Sequence, residues 1–313
     1  MHLWRGDFVR FDAGRLFVRR DMAVEFNRRG WRNAEAILLS PQFQYARYRR
    51  YFGGWDTGTG RLQTAGCDPD LHCHIKRFRR GFRGRSIAFR EADKVGLFQS
   101  AGIPCLDLIA VGRMRVGTAA HPFRSCLITE RVGTGESLAE RIVALPKHTP
   151  AGARQRRDLL DAAARLIARM HTARIFHGDC KLLHVIFDSG QSGETSLRFI
   201  DLERARRLRG PAAAYAWIKD LDQLDRSLRV IDAAPEEIAN WYDAYDRACI
   251  SAGGALAAWR DMRGLALSLR RKLNRLRKPL VRAVQPNRRQ TVRRGEHPLH
   301  AEKLRYRATM AGQ

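Results

Sequence analysis

The chain has 313 residues, 44% of them hydrophobic, which is enough for one large domain or two lobes with a substantial core. Lys and Arg number 58 against 32 Asp and Glu, and the resulting charge of +26 implies an anionic partner: nucleic acid, an acidic membrane surface or a phosphorylated substrate. No run approaches about 18 uncharged apolar residues and the charged N-terminus has no apolar leader core, so neither a membrane span nor a signal peptide is expected.

Residues 1–40 are basic and mixed in pattern. "NAEAILLS" predicts a helix, and the segment up to residue 44 is set aside as an N-terminal extension. From Tyr45 the texture changes. "YARYRRYF" and "LHCHIKRF" alternate as strands do, and "GGWDTGTG" between them predicts a glycine-rich turn. "SIAFREADKVGLFQSAG" is an amphipathic helix: Ile87, Glu91, Val95 and Leu97–Phe98 fall near one face, and Gly102 follows its end. "LDLIAVGRMRV" and "SCLITERV" predict two more strands, giving β–β–α–β–β for 45–132.

Beyond Gly135 the pattern turns helical, and 133–262 read as a second, larger unit. "SLAERIVAL" and "QRRDLLDAAARLIARMHTA" carry apolar residues three and four apart. "HGDCKLLHVIF" follows, then "HVIFD" and "LRFIDL" as short strands around a "SGQSGETS" turn. "AYAWIKDLDQLDRSLRV" and "PEEIANWYDAYDRAC" predict two further helices. Residues 263–313 form a basic C-terminal helix and tail, with leucines interleaved in "LALSLRRKLNRLRKPL". Such a segment suits an anionic lipid surface.

The order of ionisable residues points to chemistry. Phosphoryl transfer from ATP needs a carboxylate to meet the acceptor hydroxyl, a second to hold Mg²⁺, a lysine on the α/β-phosphates, and an acid to fix that lysine. Lys76 lies late in a strand, and Glu91 stands on the next helix. Asp179 sits in an H-x-D turn after a long helix, and Asp201 ends a strand in "FIDLE". Singly each is weak, but in this order they predict an α+β, bilobal, protein-kinase-like fold: a small, mostly β N-lobe with one helix and a larger helical C-lobe. "DLHCHIK" also invites a zinc reading, but alternation splits Cys73 from His72 and His74, leaving two ligands at best. The six cysteines form no CxxC pair, so buried thiols in a reducing cytoplasm are expected.

"HGD" resembles the loop of aminoglycoside and choline phosphotransferases. The combination of H-x-D, then His184 where most kinases place a metal-binding asparagine, then "FIDLERARR" and "WIKDLDQLDRSL", is similar to the lipopolysaccharide core kinase family of the WaaP/InaA type. "GIPCLDLIAVG" and "LITERVGTGESL" resemble its inter-lobe region, with the InaA branch as the nearest likeness. The resemblance covers about residues 45–250. It implies ATP and Mg²⁺ as cofactors and, as substrate, a sugar hydroxyl, heptose or similar, of an acidic glycolipid at the cytoplasmic face of the inner membrane. It places Asp179 on the acceptor, Lys76, Gly58, Gly60 and Glu130 on the nucleotide, and Asp201 with His184 on the metal. His177 and Asp220 would support the loop.

Gly178 before the aspartate, where regulated kinases carry an arginine, predicts no switch by phosphorylation. Only fifteen residues separate Asp201 from Trp217 and no A-P-E motif is present, which disfavours a protein substrate. Instead "ERARRLRG" offers Arg204, Arg206, Arg207 and Arg209, either as a clamp for acidic groups or as a solvated basic turn. Two alternatives stay open: a kinase of a soluble small molecule, and a degenerate kinase fold that acts as a basic binding protein. A nucleic-acid partner is not expected.

Overall fold

The computed structural model describes residues 5–46, 55–64, 67–78, 86–114, 123–131, 135–189 and 195–251. The basic C-terminal segment, 263–313, therefore lies outside the described residues. The first half is built on a seven-stranded antiparallel sheet. Its strands are β1 (Phe8–Phe11), β2 (Leu16–Arg19), β3 (Gln44–Ala46), β4 (Trp55–Thr64), β5 (Cys67–Phe78), β6 (Leu108–Arg113) and β7 (Ser125–Glu130). Their spatial order is β1-β2-β6-β7-β5-β4-β3.

Alternation along these strands divides the sheet into two chemistries. Leu16 and Val18 of β2, Cys73 and Ile75 of β5 and Cys126 and Ile128 of β7 point to one face. There they pack on Met22, Phe26, Trp31, Ile37 and Leu38 from the N-terminal segment, which contains the short helices α1 (Ala23–Arg28) and α2 (Ala34–Leu38). The opposite face carries Phe17, Phe78, Val111 and Leu127 and packs on α3 (Ile87–Ser100) through Ala88, Ala92, Val95 and Phe98.

Two features differ from the sequence reading. Residues 1–44 are more than an extension, because β2 pairs with β6 through Leu16↔Gly112, Phe17↔Val111 and Val18↔Ala110. The physical reason is burial: three consecutive apolar residues between arginines can be covered on both faces only inside a sheet. The second feature is "WDTGTG", which lies within β4 rather than in a turn. Gly58 pairs with Ile75 and with Tyr45, and Gly60 with Cys73. Long-range pairing on both sides overrides the local glycine signal.

The second half is helical. It holds α4 (Leu138–Ala144), α5 (Pro150–Thr172), α6 (Gly210–Val230) and α7 (Pro235–Ser251), with the short strands β8 (Ile175–Phe176), β9 (Val185–Ser189), β10 (Thr195–Phe199) and β11 (Arg206–Arg207). Helix α4 opens with a capping box between Ser137 and Glu140, and Thr149 caps α5 just before Pro150. Arg156 is buried where α4, α5 and α7 meet. It donates two bonds to Glu237, at 2.9 and 3.0 Å, and one to the Ile142 carbonyl at 2.8 Å. The two halves are stitched where β10 ends: Phe199 donates to the Pro104 carbonyl at 3.0 Å, and its ring meets Phe98 of α3 edge-on at 5.5 Å. That seam brings Asp201 beneath β5. The architecture is an α+β, two-lobed, protein-kinase-like fold.

Candidate active site

The site forms between the inner face of β5 and two loops of the helical half. Lys76 is on that face, and its Nζ donates to Glu91 Oε1 at 2.6 Å and to Asp201 Oδ1 at 3.2 Å. Burial disfavours the Lys76 ammonium, but Glu91 and Asp201 outweigh it and hold its pKa above the ordinary lysine range. The neighbouring Lys76 cation is the main cause that holds Asp201 well below the usual carboxylate range. Glu91 moves the other way: burial raises it against the pull of Lys76, and Asp201 and Glu203 add to the rise. Asp201 itself has φ of +56°, the left-handed region, a strained backbone for a non-glycine residue that turns its carboxylate toward Lys76.

The H-x-D loop is built from backbone groups held by α6. Asp220 is fully buried. Its Oδ2 accepts from the His177 N–H at 2.8 Å, and its Oδ1 from the Gly178 N–H at 2.9 Å. Three residues along the helix, Gln223 accepts from the Cys180 N–H at 3.1 Å and donates to Asp179 Oδ1 at 2.8 Å. Ser227, one turn further, accepts from the Leu182 N–H at 3.0 Å. These positions share one helix face, so a single rigid element holds four backbone N–H groups of the loop, those of His177, Gly178, Cys180 and Leu182. Gly178 has φ of +76°, and a Cβ there would come within 2.8 Å of the Arg204 carbonyl oxygen. The arginine that regulated kinases carry before the aspartate has no room here.

Asp179 Oδ1 is therefore engaged by Gln223, and Lys181 Nζ lies 3.2 Å from the same oxygen. Burial pushes the Asp179 carboxyl up, but Lys181, His184 and Arg204 together bring it below the ordinary aspartate value. It is ionised at neutral pH, and both of these contacts fall on Oδ1 rather than Oδ2.

His177 donates through Nε2 to the Ile200 carbonyl at 2.9 Å, and its ring stacks on His184 at 5.6 Å between centroids. His184 Nδ1 lies 2.7 Å from the Asp179 carbonyl oxygen. A carbonyl only accepts, so Nδ1 carries a proton and Nε2 is turned away from that bond. Nε2 lies 3.8 Å from Asp201 Oδ2. Ligand atoms of Asp179, His184 and Asp201 all lie within 4.8 Å of one another, and they are the one such group among the described residues. The donor set of two carboxylates and an imidazole fits a divalent metal.

The other residues singled out in the sequence are placed differently. Gly58 and Gly60 are held in the ladder of β4, away from any loop. The connection between β3 and β4, residues 47–54, lies outside the described residues. Glu130, at the end of β7, accepts from Arg19 of β2, while its backbone N–H donates to the Asp107 carbonyl at 2.9 Å. Arg204, Arg206, Arg207 and Arg209 are all exposed along the segment after Asp201. Cys73 faces the outer cluster, away from His74, and the zinc reading finds no matching group among the described residues.

The sequence reading missed Lys181, Gln223 and Ser227. The spacing of Gln223 and Ser227 after Asp220, at three and seven residues, was the available signal.

The profile of the lipopolysaccharide kinase (Kdo/WaaP) family matches residues 73–245, more than half of the chain. The chain belongs to this family. Among curated relatives, the 3-deoxy-D-manno-octulosonic acid kinase of Xanthomonas axonopodis pv. citri is 27% identical over 220 residues, covering 66% of this chain and 80% of its own length. The enzyme of the same name from Stenotrophomonas maltophilia is 27% identical over 247 residues, covering 72% and 90%. A solved structure titled "WaaP in complex with acyl carrier protein" superposes with a TM-score of 0.57 at 23% identity, over 84% of this chain and 99% of that one; at this identity the likeness speaks to the fold. This lipopolysaccharide kinase is thus an enzyme of the phosphotransferase class, which implies use of ATP with a divalent metal. No helix among the described residues is long and apolar enough to cross a membrane.

Proposed function

We propose that this kinase transfers the γ-phosphoryl group of ATP to a hydroxyl of an acidic sugar in the lipopolysaccharide inner core. The observation that carries the reading is the division of labour at Asp179: Oδ1 is pinned by Gln223 and Lys181, and Oδ2 is left to an incoming hydroxyl. Asp179 would orient that hydroxyl and accept its proton as the new O–P bond forms and the bond to the leaving ADP oxygen breaks. A strong base is unnecessary, because in a loose transition state the proton leaves late. Lys76, braced by Glu91, would hold the α- and β-phosphates. Lys181, beside Asp179, is placed to stabilise charge on the phosphoryl group in flight. Asp201 and His184 would hold Mg²⁺, which neutralises the phosphate oxygens when bound.

The relatives named as 3-deoxy-D-manno-octulosonic acid kinases make that eight-carbon acid the acceptor of choice, ahead of heptose. The net charge of +26 suits such a polyanionic glycolipid, and the basic segment 263–313 would dock the enzyme on the cytoplasmic face of the inner membrane. The test is transfer of label from γ-labelled ATP onto two dephosphorylated acceptors, one ending in the octulosonic acid and one carrying heptose. Preference for the first supports the reading, and preference for heptose overturns the choice of sugar. Transfer onto soluble aminoglycosides or choline alone would favour the small-molecule alternative, and nucleotide binding without any transfer would favour a degenerate kinase. Asp179→Asn should abolish transfer while ATP still binds. Equal loss of both would remove Asp179 from the acceptor.

A further inference from the structure

Near Asp179 lie two cations that the transfer step leaves unused, and an aromatic ring stands one turn from one of them. Lys219, on α6, is partly buried. Its Nζ donates to the Gly178 carbonyl, and among the described residues no carboxylate is hydrogen-bonded to it. Burial is the main cause that lowers its pKa, and Arg204 pushes in the same direction. Of the carboxylates within electrostatic reach, Asp220 is occupied by the loop N–H groups and Asp179 by Gln223 and Lys181.

Arg204 lies close enough to act electrostatically on both Lys219 and Asp179. Its backbone is pressed against the loop at Gly178, which only a glycine permits. Tyr215 stands one turn before Lys219 on the same face of α6 and is 58% exposed. Two neighbouring cations, one of them partly desolvated, repel each other until an anion arrives between them.

We propose that Lys219 and Arg204 form the acceptor subsite, taking the carboxylate of an acidic sugar whose ring face rests on Tyr215, and so present a neighbouring hydroxyl to Asp179. The proposal rests on the acid-sugar reading above and names the residues that select it. A carboxylate takes charge-assisted hydrogen bonds from a guanidinium and an ammonium together. An aromatic wall with a few convergent polar groups is the usual make-up of a small-molecule site.

The experiment compares kcat/KM for a lipid-linked acceptor ending in the octulosonic acid with that for its methyl ester, at saturating ATP. The wild-type enzyme should favour the free acid by about ten- to a hundredfold, the range for loss of a charge-assisted bond. Lys219→Met should collapse that preference with the KM for ATP unchanged. Since Lys219 also touches the loop, Arg204→Gln provides a second reading. Its side chain is exposed, so the fold is undisturbed, and the acid-to-ester ratio should fall again. Tyr215→Ala should raise the KM of acid and ester alike. Equal use of acid and ester by the wild-type enzyme overturns the subsite, as does an equal loss on both substrates in Lys219→Met and Arg204→Gln. No transfer to either acceptor, with transfer to a heptose acceptor intact, removes the acid-sugar reading and the subsite with it.

Discussion

His184 offers the sharpest test of how this kinase holds its metal. Its ring divides two tasks: Nδ1–H anchors the Asp179 carbonyl at 2.7 Å, and Nε2 looks toward Asp201 Oδ2 at 3.8 Å. His184→Leu keeps bulk and loses both. The lost hydrogen bond leaves a partly buried carbonyl to find another donor, costing about 1–3 kcal/mol of stability. Loss of the nitrogen on the metal side should raise the metal concentration for half-maximal transfer roughly ten- to a hundredfold. His184→Asn should behave differently, because its amide N–H can still meet the carbonyl and its oxygen suits a hard cation. The metal requirement should then shift by less than about tenfold. The assay is transfer rate against Mg²⁺ concentration at saturating ATP, with melting temperature measured on the same samples. Suppose His184→Leu melts earlier yet needs no more metal than the wild type. The ring would then be a packing and loop-anchoring residue alone, and a metal-side role for Nε2 would be wrong.

Other outcomes follow from the same geometry. Lys76→Met should leave the buried Glu91 carboxylate and Asp201 without their shared cation, costing about 3 kcal/mol and abolishing transfer. Calorimetry that finds its melting point unchanged would refute the pairing. Asp220→Asn replaces one acceptor oxygen by an NH₂ group facing a backbone N–H, so it should cost about 2–4 kcal/mol and lower kcat more than the KM for ATP; unchanged kcat would show that the loop holds itself.

His74, on the same face of β5 as Lys76, has its pKa lowered to about 4 by burial, with Lys76 and Arg131 adding to the shift. An unfolded histidine titrates near 6.5, so between these values the unfolded chain binds more protons and stability should rise with pH. The gain is on the order of 3 kcal/mol. It should be flattened in His74→Gln, and an NMR midpoint near 6.5 for His74 would contradict it.

Much of this site was legible before any fold was known. Helices α3, α5 and α6 carry their own periodicity, and the loop between α5 and β9 announces itself by H-x-D. Lys76, Glu91, Asp179 and Asp201 fall in the order that phosphoryl transfer requires. These are local signals, set by residue type and spacing along the chain. The tertiary structure alone decided the rest. Gly58 and Gly60 read as a turn because glycine dominates a short window, yet β5 pairs with both and β3 with Gly58, holding them in a ladder. The brief apolar run Leu16–Val18 finds one partner close by, in β1. Its other edge is paired by β6, nearly a hundred residues later, which no local signal announces. The duties of Gln223, Ser227 and Lys219 exist only once α6 lies under the loop. A side chain's spacing fixes which face of a helix it shares, but what that face meets is settled by packing between elements distant in sequence.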